Sequence, residues 1–548
     1  MKIVIIGSVA AGTSVAAKAR RNDETAEITV YNADHDISYS ICGIPYFLGG
    51  EIDDLATLTP RDADWFKKRY NVDIHTRHEV TAIDSNAKTV TVKNLTTHET
   101  KVDHYDTLVL ATGASPKVPQ IDGVDQSHVF PVRNIQSAAA IDQYITLNKS
   151  EKATIIGAGF IGLEMAEQLT ARGLEVTLIE GENQVMPHLD RDMAFRIAEE
   201  LQKNKLTLLL GESVTQITKK TVTTSSGNTI DSDLVILATG VKPNTKLIEG
   251  TAIARGESGA IKVNQQMQTN LPNIYAAGDA AESFSVITEK PLYRPLGSTA
   301  NKMGRIAGDA MTGGTLAHRG ILGTGILRVF GLTVGYTGLT EQEARAEGFD
   351  IEVLHNIKPA KAEYLGGAEM VIKAIADRRT KRLLGVQIVG EDGVDKRIDV
   401  FVTALSFKAK VDDLFHLDLA YAPPFSTTKD PVMYTGMALK NAIDLKNKLI
   451  TPEELVTRIS NGEELQIIDT RATKQYEASR VDGAINLPLA KLRSEASQLN
   501  PALTTVTYCN KGVTGNAAQN ILINQGFKDV YNLSGGNKNY QSFKNSQN

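Results

Sequence analysis

Apolar residues come in short, dense bursts along this chain, and the first bursts end at glycine. "KIVII" (residues 2–6) enters "GSVAAG" and then "TSVAAKARR", which has helical composition, before a second burst, "EITVYN". Run, glycine turn, helix, run predicts a βαβ unit whose strands are buried on both faces. The same order returns at "KATIIGAGFIGLEMAEQLTARGLEVTLIE", residues 152–180. Each unit is followed later by an apolar run closing on small residues, "DTLVLATGAS" (106–115) and "DLVILATGVKPN" (233–244), and the second of these by "NIYAAGDAAE" (273–282). This order predicts that the second unit is inserted into the domain of the first, whose chain resumes near residue 245. Two such units imply two nucleotides.

Beyond residue 320 the pattern changes. "GILGTGILRVFGLTVGYTGLT" and "MVIKAIADRRTKRLLGVQIVG" carry alternating apolar positions, which predict a third, α+β domain. From "TPEELVTRISNGEELQIIDTR" a helix and an apolar strand restart the pattern, as expected of an independent small α/β domain; the closing "YQSFKNSQN" reads as a frayed end. The expected organisation is residues 1–113 with 245–324, an inserted domain at 114–244, a third domain at 325–440, a linker at 441–452 and a last domain at 453–548.

Composition narrows the function classes. A chain of 548 residues with 42% hydrophobic and 22% charged residues is an ordinary globular protein of several cores. A net charge of −5 gives no basic footprint for nucleic acid. No apolar run is long enough to span a bilayer, and "MKIVIIGSVAAG" lacks the cleavage pattern of a signal peptide. The expected location is the cytoplasm, where two cysteines far apart in sequence are expected to be reactive rather than structural.

"GAGFIG" places Gly157, Gly159, Phe160, Ile161 and Gly162 where backbone approaches a pyrophosphate at a helix N-terminus. Glu180 ends the next strand, where an acid accepts from both ribose hydroxyls and favours NADH over NADPH. Gly240 closes the echoing run. The first turn, Gly7, Ala10, Ala11 and Gly12, is less regular, with Val9 at the second glycine position. Asp279 after Gly278 is placed to meet a flavin's ribityl or pyrophosphate chain, which points to FAD, with Ala111, Thr112 and Gly113 lining the same end.

With these residues in place, positions 1–440 resemble the pyridine nucleotide–disulfide oxidoreductases, which implies Rossmann-like FAD and NAD(P)H domains followed by a dimerisation domain, and a homodimer. "SYSICGIPY" is similar to the single-cysteine branch of coenzyme A-disulfide reductases and NADH oxidases and peroxidases, which makes Cys42 the redox thiol facing the flavin. Ala10 stands where the oxidases and peroxidases usually carry histidine. "AYAPPFSTTKDP" resembles the reductase segment whose tyrosine reaches the partner's thiol site, so Tyr421, with Tyr364 of "AEYLGG", takes a catalytic position. Ile41 replaces the asparagine often found before the thiol. Ser38 and Ser40 are expected to make its surroundings polar. The resemblance assigns Arg20, Arg61, Lys68, Asn301 and Arg305 to coenzyme A.

The second cysteine lies in "VTYCNKGVTGNAAQNILINQGFKDVYNLSGG", which with "IIDTRATKQYEASRVDGAINLPL" resembles a rhodanese domain. Cys509 would sit in a loop whose backbone N–H groups form an anion nest that stabilises a thiolate or persulfide. Arg480 stands at the usual histidine, and the loop keeps Lys511 as its one cation where rhodaneses often carry arginine. Both cysteines therefore fall where a sulfur nucleophile is expected. The expected function is an NADH- and FAD-dependent reductase of coenzyme A persulfide, polysulfide or coenzyme A disulfide. The alternatives are an NADH oxidase or peroxidase cycling Cys42 through sulfenic acid, and a flavin-based redox sensor.

Overall fold

The computed structural model describes residues 1–445 and 447–547. The chain forms two compact units, one of residues 1–183 and 206–321, the other of 184–205 and 322–548.

The first unit holds two parallel five-stranded sheets. In one the spatial order is Ile274–Ala276, Thr107–Leu110, Lys2–Ile6, Glu27–Asn32, Asp73–Thr76. Thr107–Leu110 and Ile274–Ala276 add on the far side of Lys2–Ile6 from Glu27–Asn32, so the strand order reverses beside the first glycine turn, where doubly wound sheets bind ligands. The other sheet runs Thr207–Leu210, Glu175–Glu180, Lys152–Ile156, Leu234–Leu237, Val129–Pro131. The two crossings between them, Ala114–Pro116 and Val241–Pro243, pair antiparallel into a short ribbon. Ile3, Val4, Ile5, Val30, Leu108 and Val109 have essentially no solvent exposure. Each such side chain contributes about 1.5–3 kcal/mol on burial, which explains why these strands read as unbroken apolar runs.

The second unit holds the antiparallel sheet Gly325–Val329, Leu332–Gly338, Leu383–Gly390, Glu369–Asp377, Ile351–Pro359 and the parallel sheet Leu449–Ile450, Val530–Leu533, Thr504–Tyr508, Leu465–Asp469, Ile485–Asn486. The fold is thus the expected mixed α/β architecture.

Two expectations are corrected. The segment 441–452 is not a plain linker: the helix Pro431–Asp444 enters it, and Leu449–Ile450 already pairs in parallel with Asn532 and Leu533 because Ile450 is needed in the last core. The closing segment forms the helix Gly536–Gln547 rather than fraying. Tyr540 is 2% exposed within that core, and Lys544 pairs with Asp482 at 2.8 Å. Among the described residues no helix is long and apolar enough to cross a membrane.

Candidate functional site

The first glycine turn joins Lys2–Ile6 to the helix Ala10–Asn22. A side chain at Gly12 would meet the Gly7 carbonyl at 1.9 Å, so glycine is what lets helix and turn close together. Ala10 and Ala11 form the first helical turn, with no side chain capping the helix, which leaves its N–H groups for an anion. Ser8 Oγ is buried in this turn without a hydrogen-bond partner among the described residues. Ser38 reaches the turn through its own N–H, donated to the Ser8 carbonyl at 3.0 Å. Ala111 continues the neighbouring strand, its N–H donating to the Ile6 carbonyl at 2.9 Å, and Thr112 Oγ1 donates to the Asn244 carbonyl at 2.7 Å, which fixes the backbone up to Gly113.

Gly278 and Asp279 follow the strand Ile274–Ala276 and border a small pocket shared with Tyr293, Thr299 and Met303. Burial pushes the Asp279 carboxyl up, and the Arg133 guanidinium opposes the shift. Tyr293 donates its hydroxyl to the Asp279 carbonyl at 2.8 Å; burial and then the Asp279 charge push its phenol up. The buried Ser8 hydroxyl, the uncapped helix and Asp279 together fit FAD.

The second turn repeats the design. Phe160, Ile161 and Gly162 open the helix Phe160–Ala171, again uncapped by a side chain. A side chain at Gly159 would project into open space, so the room beside the turn is where a pyrophosphate would approach, and Gly157 and Gly240 both take left-handed backbone. Glu180 accepts the Ala158 N–H at 2.6 Å and the Glu182 N–H at 3.0 Å, which holds its carboxylate at the turn, as a nicotinamide dinucleotide's ribose requires.

Cys42 is an exposed free thiol in the turn Ile41–Gly43, which runs into the short helix Ile44–Leu48. Solvent reaches it, yet the surrounding protein pushes its pKa up by burial, and Glu164 and Asp279 add to that shift. Asp279 therefore brings the thiol and the FAD residues into one electrostatic neighbourhood. Ser40 donates its N–H to Leu58 at 2.9 Å and is exposed. Tyr39 is buried, its phenol raised to about 12 by that burial.

Arg20 departs from expectation. Its guanidinium is turned into the fold and donates to the carbonyls of Tyr70, Asp23, Glu24 and Asn71, at 3% exposure. These bonds tie the first helix to the loop after Tyr70 and face no phosphate. Arg61 is exposed and lies over the Trp65 ring at 5.1 Å. Lys68, on the helix Ala63–Tyr70, is exposed, as is Arg305 on the helix Gly297–Ala310. Asn301 accepts from Ser14 at 2.7 Å and donates to Gly297 at 3.0 Å, which fastens its helix to the first one. Arg133, Tyr293 and Glu164 went unnoticed in the sequence; Glu164 lies two residues beyond the second glycine turn, and only the fold carries these charges and hydroxyls towards Asp279 and Cys42.

In the second unit Tyr364 and Tyr421 are 79% and 50% exposed. Their segments are joined where the Ala362 N–H donates to the Pro423 carbonyl at 3.3 Å, and Phe425, 70% exposed, lies nearby in sequence. Cys509 follows the strand Thr504–Tyr508 and is 7% exposed. Gly512 takes left-handed backbone to turn the loop into the helix Val513–Asn524. A buried pair, Asp469 and Arg471 at 2.6 Å, supports that loop, with Arg471 donating to Asn510 at 3.3 Å. Arg480 lies over the Tyr476 ring at 4.9 Å.

The profile described as pyridine nucleotide-disulphide oxidoreductase matches residues 1–303, its dimerisation domain residues 326–431, and a rhodanese-like domain residues 451–543. The coenzyme A disulfide reductase of Staphylococcus haemolyticus is 35% identical over 437 residues, which is 79% of this chain and 98% of that protein. Reduced Bacillus anthracis CoADR-RHD superposes with a TM-score of 0.96 at 38% identity, covering 99% of this chain and 98% of that one. An NAD-dependent persulfide reductase from A. fulgidus superposes at 0.90 with 35% identity, covering 98% and 99%.

Proposed function

The chain belongs to the pyridine nucleotide-disulphide oxidoreductase family, and from that membership we propose an NADH-dependent flavoprotein that reduces coenzyme A persulfide, polysulfide or coenzyme A disulfide. Cys42 is the redox thiol and Cys509 handles sulfane sulfur. The observation that carries this reading is that the chain's two cysteines are both free, one within electrostatic reach of Asp279 and the other at the head of the rhodanese-like loop.

The turn Gly7–Gly12, Gly278 and Asp279 would hold FAD, and the turn Gly157–Gly162 with Glu180 would hold NADH in preference to NADPH. Bound flavin would supply the two-electron relay between nicotinamide and thiol and an electron-poor face for the thiolate. The chain's own task at Cys42 is nucleophilic. Its thiolate attacks one sulfur of the substrate; the substrate S–S bond breaks, a Cys42 mixed disulfide or persulfide forms, and the other half leaves as a thiolate. Two electrons from NADH then return Cys42 to the thiolate and release coenzyme A thiolate or hydrosulfide. Burial, with the charges of Glu164 and Asp279 adding to it, opposes ionisation of Cys42 in the free chain. Arg61, Lys68 and Arg305 offer exposed cations for coenzyme A phosphates. Tyr364 and Tyr421 complete the site across a homodimer in the cytoplasm, which fits their exposure in the single chain.

The test is anaerobic NADH oxidation with coenzyme A disulfide, coenzyme A persulfide and polysulfide, comparing wild type, Cys42→Ser and Cys509→Ser. Cys42→Ser is expected to lose turnover with every acceptor while its flavin is still reduced by NADH. Unchanged turnover would overturn the assignment of Cys42. Full activity of Cys509→Ser with persulfide and polysulfide would remove the second thiol from the reaction.

A further inference from the structure

Glu164, Gln168 and Arg172 recur every four residues on the helix Phe160–Ala171 and its C-cap, so they fall on one stripe of its surface. All three meet the segment that follows Cys42. Glu164 accepts the Tyr46 hydroxyl at 3.4 Å, Gln168 Nε2 donates to Glu51 Oε1 at 2.8 Å, and Arg172 Nη1 donates to the Leu48 carbonyl at 3.0 Å. The approach is close: a side chain at Gly49 would meet Gln168 Oε1 at 1.9 Å, and Gln168 is 1% exposed. Arg172 also reaches the helix Ile135–Asn148, donating to Asp142 at 2.7 Å and to Thr146 at 3.1 Å.

The helix Ile44–Leu48 needs such ties. With five residues it is too short to be stable alone, and the carbonyls of its last turn lack partners within it. Ile44 and Leu48 are buried, but apolar burial is non-directional and fixes the depth of the helix rather than its heading. Hydrogen bonds are directional, and the one from the Arg172 guanidinium is charge-assisted. The turn Ile41–Gly43 leads straight into this helix, so whatever orients the helix orients Cys42.

We infer that Gln168 and Arg172 are positioning residues for Cys42: the helix that opens at the second glycine turn holds the thiol segment along one stripe and so sets the line on which the sulfur attacks. This deepens the proposed function and rests on its reading of Cys42 as the redox thiol. The step served is the displacement, in which the bond from Cys42 sulfur to substrate sulfur forms, the substrate S–S bond breaks and the other half leaves as a thiolate. Reduction by NADH is a separate step. Arg172 follows Phe160 by twelve residues, about 18 Å along the helix axis, so its replacement leaves the nucleotide turn in place. Attack tolerates little misplacement, about 1 Å costing up to about a hundredfold.

The test separates the two halves of turnover by stopped flow on the FAD-loaded full chain. Flavin reduction by NADH is followed first, then reoxidation of the reduced protein by coenzyme A disulfide, coenzyme A persulfide and polysulfide. Arg172→Met is expected to slow reoxidation by about tenfold or more with the acceptor that wild type prefers, while flavin reduction and flavin content stay at wild-type values. Amide hydrogen exchange in residues 43–50, read without turnover, is expected to quicken in the same variant. Arg172→Lys keeps a cation for the Leu48 carbonyl and should recover most of the lost rate. Gln168→Met, which keeps an unbranched stem against Gly49, should show the same selective slowing and serves if Arg172→Met does not fold. Reoxidation at the wild-type rate, equal slowing of both halves, unchanged exchange or no recovery with lysine would overturn the inference. Turnover retained in Cys42→Ser would instead overturn the proposed function, a result that none of these variants touches.

Discussion

Glu180 and Ala158 stand 22 residues apart in the chain and meet at 2.6 Å, the carboxylate of one accepting the backbone N–H of the other. The acid at the strand end thus braces the second glycine turn, and the proposed function gives it the ribose as a second partner. Glu180→Gln keeps a weaker acceptor for Ala158 and removes the charge. It is expected to raise the KM for NADH by about tenfold and to narrow the preference for NADH over NADPH, with kcat little changed. Steady-state kinetics with both nucleotides checks this; an unaltered ratio would remove Glu180 from ribose recognition.

Gly12 has no room for a side chain against the Gly7 carbonyl. Gly12→Val is expected to force the first helix away from its turn and to give protein that is largely colourless when purified. The flavin-to-protein absorbance ratio measures the loss directly, and retention of full flavin content would contradict the assignment of this turn.

His318 is buried, with Nε2 at 2.6 Å from Ser283 Oγ and its ring edge-on to Phe284. Burial, joined by the Lys302 charge, lowers its pKa to about 4, against about 6.5 in an unfolded chain. The unfolded state therefore takes up the proton first as pH falls. The contribution of neutral His318 is complete above about pH 6.5, shrinks as pH falls towards about 4 and then levels off, a span of about 3 kcal/mol. In urea unfolding at stepped pH, the stability difference between wild type and His318→Gln should follow that curve, falling as pH drops. A difference independent of pH would refute the titration.

Lys373 lies buried among Asp190 at 3.2 Å, Asp192 at 2.9 Å and Glu341 at 2.9 Å. Burial alone would raise the Asp192 carboxyl, but Lys373 and then His355 hold it well below the usual carboxylate range. Lys373→Met leaves three carboxylates facing one another without their shared cation. The expected loss is about 3–5 kcal/mol for breaking a buried pair, read by denaturant unfolding, and a loss below about 1 kcal/mol would show that the cluster re-solvates freely.

Tyr364 and Tyr421 are exposed in the single chain, so their value should be catalytic rather than structural. Replacing each by phenylalanine is expected to lower reduction of coenzyme A-borne sulfur by tenfold or more, the range for losing a positioned proton donor, while flavin content and thermal midpoint stay close to wild type. Equal losses of activity and of dimer on gel filtration would instead make them interface packing residues.

Much of this protein is legible before folding is considered. Parallel strands buried on both faces must be apolar throughout, so "KIVII", "TLVL" and "LVIL" announce themselves, and a backbone that approaches phosphate must be glycine-rich at a helix start. The two cysteines are legible for a related reason: each lies in a local pattern whose geometry is set by neighbours a few residues away.

Other residues take their meaning from contacts that no local pattern encodes. Arg20 looks like a free cation at the end of a helix, and only the arrival of Tyr70 and Asn71, 50 and 51 residues later, turns it into a brace. Tyr540 looks like part of a polar tail until Leu449–Ile450 and the last strand form a core for it. Local sequence determined the strands, the nucleotide turns and the identity of the thiols, because those depend on backbone geometry and side-chain chemistry over a few residues. Tertiary structure alone decided which charges act on the first thiol, Asp279 and Glu164 at Cys42, because electrostatic interaction follows distance in space and the chain brings these groups together only when it folds.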